Sequence, residues 1–88
     1  MGAELFSRMY LRFEIARDCI GAVLAHQMAV IAEEASRDDA DQGVLAQAEE
    51  ERAKLMVLRD DIDPANSQQI ESIIRDYGQL ALKLFRGM

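Results

Sequence analysis

A chain of 88 residues with one cysteine and one histidine has room for one small domain. It can form neither an internal disulfide nor the four-ligand nitrogen and sulfur site of a structural zinc. Its formal charge of -6 argues against nonspecific nucleic-acid binding, which depends on lysine and arginine neutralising phosphate. So small a domain buries too little surface to be more than marginal alone, so association is the stabilising device that the composition leaves.

The spacing predicts a first helix over about residues 3–35, a stretch with no proline and one glycine, Gly21. At helical spacing Phe6, Met9, Phe13, Ala16, Ile20, Val23, Leu24, Ile31 and Ala35 form one wide apolar stripe. Leu11, Ile15, Ala22 and Ala29 form a second, narrower stripe well away from it. A helix apolar on several sides must be covered on several sides.

Ser36-Arg37-Asp38-Asp39 reads as a stop and restart. Asp39 is the expected cap of a second helix over about residues 40–62, with Gln42 three residues on in capping-box spacing. Val44, Leu45, Ala48, Leu55, Leu58 and Ile62 hold one face of that helix. Glu49, Glu50, Asp60 and Asp61 hold the other. Asp63-Pro64 ends it, because proline disfavours the helical conformation for the residue before it and cannot donate to a helical bond.

Asn66, followed by Gln69, caps a third helix over about residues 67–86. Ile70, Ile73, Ile74, Tyr77, Ala81 and Leu84 recur there at i, i+3, i+4 and i+7. No run alternates with period two, and no hairpin turn signal occurs. The fold expected is all-α: a three-helix antiparallel bundle with a long N-terminal helix, oligomeric. Short connections make neighbouring helices antiparallel. Such an order places Arg8 and Arg12 at the same end as Asp60, Asp61 and Asp63, and Lys83 and Arg86 at the same end as Glu33, Glu34 and Asp38.

The helix lengths do not match. At about 1.5 Å per residue they measure roughly 50, 35 and 30 Å. The second helix then reaches back along the first only to about Phe13. The expected partner-binding surface is therefore Leu5, Phe6, Met9, Tyr10 and Leu11, extended by Ile15. The rival arrangement is a break near Gly21 that folds the first helix back on itself.

Residue chemistry gives no enzyme. His26 stands seven positions from both Cys19 and Glu33, roughly 10 Å along a helix and beyond hydrogen-bond reach. No glutamate precedes His26 by three, as a ferritin-like metal site requires. Asp38-Asp39-x-Asp41-x-Gly43 runs on into Val44 and Leu45, where a calcium loop needs oxygen. Glycine-rich phosphate loops are missing too. No catalytic residue, metal or cofactor is expected.

Acid is concentrated in the middle of the chain. Residues 33–63 carry eleven acids and four bases, against five acids and six bases elsewhere. Clustered carboxylates on a helix suit either solvation or a basic partner. Arg52, Lys54 and Arg59 interrupt them, which weakens any imitation of nucleic-acid phosphates.

The longest stretch without a formal charge, Cys19 to Ala32, includes His26 and Gln27 and is short and polar for a bilayer span. No basic segment precedes an apolar one at the start, and Phe6 stands where a myristoylation signal has serine or threonine. The expectation is a cytoplasmic protein without membrane or direct nucleic-acid contact. Its function is that of a small helical interaction module (adaptor, chaperone or regulatory subunit) that binds itself or another protein through helix 1. The alternative is an acidic inhibitor that blocks a basic site on a nucleic-acid enzyme.

Overall fold

The structure is a computed structural model. It describes residues 2–86, apart from the side chains of residues 2, 3, 5, 6 and 85. Three helices account for nearly all of it: α1 (Gly2–Ala35), α2 (Gln42–Asp61) and α3 (Ser67–Arg86). No strand occurs among the described residues, so the all-α class holds. α1 runs unbroken through Gly21, which removes the folded-back rival.

Each boundary has a local cause. α1 closes on Ser36, whose hydroxyl donates to the Glu33 carbonyl at 2.7 Å and whose N–H donates to the Ala32 carbonyl at 3.2 Å. α2 begins two residues later than expected, and its cap is Asp41, not Asp39. The Asp41 carboxylate accepts from the N–H groups of Gly43 (2.9 Å) and Val44 (3.2 Å). Asp41 wins because Glu34 of α1 reaches across the turn and accepts the Asp41 N–H at 2.8 Å, which fixes where the helix starts.

α2 ends at Asp61, and Ile62 turns extended ahead of Asp63-Pro64. The start of α3 falls where the sequence places it. Asn66 accepts the Gln69 N–H at 3.0 Å. The Gln69 side chain does not return to Asn66. It accepts the Asp63 N–H at 3.1 Å and so ties the turn to the helix that follows.

The core lies along one stripe of α1. Ala16 and Ile20 are wholly buried, and Val23 and Leu24 nearly so. Leu55 and Ile62 meet them from one side, Ile70, Ile73 and Ala81 from the other. Phe13, Leu58, Ile74, Tyr77 and Leu84 pack against this cluster, half-buried. No polar or charged residue is buried among the described residues. Fully burying an aliphatic side chain stabilises by about 1.5–3 kcal/mol, so these few positions supply most of the cohesion.

α1 contacts both other helices, whereas no Cα of α2 comes within 8 Å of one in α3 among the described residues. Arg12 meets Glu71, and Cys19 lies opposite Gly78, an offset of 59 at both places. Glu34 meets Asp41 at one end of α1, and Arg59 lies near Arg17 farther back. The molecule is long and thin, 59 × 26 × 16 Å. Its radius of gyration is 15.7 Å, against about 12 Å for a compact domain of this length.

The expected charge pairing takes different partners. Arg12 pairs with Glu71 of α3 at 2.6 Å and not with the acids at the end of α2. Glu33 and Glu34 pair with Arg37 of their own turn, at 3.6 and 3.5 Å, and not with Lys83 or Arg86.

Candidate functional site: the open face of helix 1

α2 and α3 cover one side of α1 and leave the other bare. Of the six residues expected to bind a partner, Tyr10 and Leu11 are exposed and Ile15 is half-buried. Tyr10 is 52% exposed and Leu11 59% exposed; Leu11 lies opposite the core stripe, and Tyr10 lies on the flank, against Phe13. Ile15 is half-buried at the edge of the same face. Met9 points elsewhere: it is half-buried beside Pro64 and Ile70, where the start of α3 closes over it. The expectation that α2 alone covers α1 missed this, because the turn before α3 carries the chain back past Arg12 to Met9. Leu5 and Phe6 lie outside the described side chains.

The bare face extends farther than expected. Met28 is 54% exposed, and Ala25, Ala29 and Ala32 are exposed with it. The spacing 25, 29, 32 and the neighbouring 28 gives the same side of a helix, and that signal was present in the sequence. The second stripe read from the sequence includes Ala29 but not Ala25, Met28 or Ala32.

Tyr10 leans on Phe13, ring centroids 6.0 Å apart and tilted by 54°. The Arg17 guanidinium stands 5.8 Å from the Phe13 ring on the same side. Phe13 is thereby held in the core, while Tyr10 keeps its outer edge in solvent. Beside this patch a shallow depression of ≈ 350 Å³ is lined by Glu14, Arg17, Asp18, Gly21 and Arg59. No ion pair within 4 Å joins its acids to its bases among the described residues. The Arg59 Nε is buried there without a hydrogen-bond partner among the described residues.

Cys19 and His26 do not meet as a catalytic pair. Cys19 is half-buried against α3, where a methyl on Gly78 would lie 3.7 Å from its sulfur, and His26 is exposed. Partial burial, and secondarily the charge of Asp18, push the Cys19 thiol up, away from the reactive thiolate. No group of three or more metal-ligating side chains converges among the described residues.

The acids of α2 lie on its solvent side, and some are answered locally. Arg52 pairs with Glu49 at 3.0 Å and Lys54 with Glu50 at 3.5 Å. α1 is long and apolar enough, by length and composition alone, to cross a membrane. That differs from the expectation set by its short uncharged stretch. Its buried stripe is nonetheless the seat of the core shared with α2 and α3.

Comparison with protein-family models, with curated proteins and with solved structures finds no match for this chain.

Proposed function

We propose that the chain is a small helical protein–protein interaction module, an adaptor, chaperone or regulatory subunit, that works through the open face of α1. Its three helices form an up-down-up bundle left incomplete on that side. One observation carries the reading: the large apolar side chains Tyr10, Leu11 and Met28 of α1 are all more than half exposed. Tyr10 and Leu11 adjoin at the N-terminal end of α1, and exposed apolar surface of that kind is what a partner covers. The total exposed surface points the same way. It is 6419 Å², against about 5,200 Å² expected for a compact monomer of 9.9 kDa.

The test is capture from a lysate of the native host with tagged chain, washed at molar salt. A partner held by apolar contact stays bound, and Leu11→Ser releases it. A partner that leaves wild-type chain at high salt but ignores Leu11→Ser is held by the acids of α2, because screening weakens exposed charge pairs. That result sinks the reading.

A further inference from the structure

α2 and α3 are held on α1 with unequal strength. No Cα of α2 lies within 8 Å of one in α3 among the described residues, so neither of these helices braces the other. From α3, Ile70, Ile73 and Ala81 enter the core, and Ile74, Tyr77 and Leu84 pack against it. From α2, among the described residues, Leu55 alone enters the core and Leu58 alone packs against it. Ala48 is buried but stands outside that cluster.

The polar ties repeat the difference. Arg12 and Glu71 join α1 to α3 at 2.6 Å. No ion pair or side-chain hydrogen bond joins α1 to residues 42–61 among the described residues. The ion pairs of α2 with known partners are internal, Arg52 with Glu49 and Lys54 with Glu50. The Arg59 Nε is buried near α1 without a hydrogen-bond partner among the described residues, which weakens the hold further. The firm ties of α2 lie just beyond its two ends. Glu34 accepts the Asp41 N–H at 2.8 Å before the helix begins. Ile62 is buried just after it ends, and Gln69 accepts the Asp63 N–H at 3.1 Å.

We infer that α2 is a strap, pinned at both turns, whose middle lifts off α1 while α1 and α3 stay paired. Segments with few buried apolar side chains open first, and α2 has the fewest of the three helices. A helix of 20 residues without tertiary packing is marginal in water, so the lifted segment also melts. Lifting withdraws Leu55 and Leu58 and bares part of the core stripe of α1. This goes beyond the contact surface proposed above. Tyr10, Leu11 and Met28 are in solvent in the closed form, whereas the stripe is presented only on opening.

The experiment is native-state hydrogen exchange of the purified full chain, read by NMR at several urea concentrations below the unfolding midpoint. Amides of residues 48–58 are protected at least about tenfold less than those of residues 73–81. Their exchange also depends less on urea, because lifting one helix exposes less surface than unfolding. Ile70→Val tests independence. Ile70 lies beside Met9 and Arg12 of α1, a contact that the open form keeps. The substitution therefore weakens protection in α3 by roughly two- to tenfold and leaves protection in α2 unchanged. Equal protection of the two helices with equal urea dependence overturns the inference, as does stronger protection of α2. So does an Ile70→Val effect of the same size in both helices, because the chain then opens as one unit.

Discussion

Arg12 and Glu71 form a two-pronged ion pair, Nε to Oε1 at 2.8 Å and Nη2 to Oε2 at 2.6 Å, and it is the one such pair joining α1 to α3 among the described residues. The paired geometry fixes rotation as well as distance, so it sets the register in which the two helices lie. Both side chains are about half exposed, so the pair selects an arrangement more than it supplies cohesion.

The pair has a pH signature. Hydrogen bonding to Arg12 holds the Glu71 carboxyl below the ordinary glutamate value, against a smaller opposing effect of desolvation. A carboxyl lowered on folding adds stability above its unfolded pKa, and that contribution disappears as pH falls through the folded value. Carbon-detected NMR titration of Glu71 should give a midpoint below that of free glutamate. Arg12→Gln should return it upward. An unmoved midpoint means that the pair does not form in solution.

The cap of α2 separates two neighbouring aspartates. Asp41 accepts from two N–H groups, whereas Asp39 makes no side-chain hydrogen bond among the described residues. Asp41→Ala should lower the unfolding free energy by about 1 kcal/mol. Asp39→Ala should change it by less than about 0.5 kcal/mol. Urea midpoints of the two variants decide, and the reverse order would move the start of α2 back to residue 40.

The core makes the strongest demand. Ile73 is 5% exposed, so Ile73→Asp buries a charge without a partner and should unfold the chain. Ile20→Ala should cost about 2–5 kcal/mol, since Ile20 is wholly enclosed. Glu50→Ala, on the solvent side of α2, should shift stability by under about 0.5 kcal/mol. Circular dichroism during thermal unfolding ranks the three. Equal effects would mean that these helices face otherwise.

The sequence told most where local rules act alone. α3 was legible to the residue, because Asn66 and Pro64 bracket its start and its apolar residues hold one face over its length. The stripe Ala16, Ile20, Val23, Leu24 was legible from spacing. What local rules miss is competition across a turn. In sequence Asp39 is the better cap, with Gln42 three residues on, and Glu34, seven residues upstream of Asp41, reverses that choice. Met9 was assigned to the open face because the reach of α3 depends on where its preceding turn sits. Ala25 and Ala32 were passed over because an exposed alanine carries no hydrophobic signal until its neighbours are known to be bare.

Two glycines offer a last test, which checks the continuity of α1 and its contact with α3. Gly21 stands in mid-helix, and a methyl built on it meets nothing within 4 Å. Gly78 faces Cys19, and a methyl there would make an ordinary contact with the sulfur at 3.7 Å. Neither has a positive φ that only glycine tolerates. Alanine at either position removes freedom from the unfolded chain and costs nothing in the folded one. Each change should therefore stabilise by roughly 0.5–1 kcal/mol. For a domain of this size that raises Tm by roughly 4–8 °C per kcal/mol. Gly43→Ala should gain less, because its methyl would lie 3.2 Å from the capping oxygen of Asp41. A loss of stability on Gly21→Ala would mean that α1 bends there or packs more tightly than this. A loss confined to Gly78→Ala would mean that α3 lies closer to α1 than the 3.7 Å contact allows.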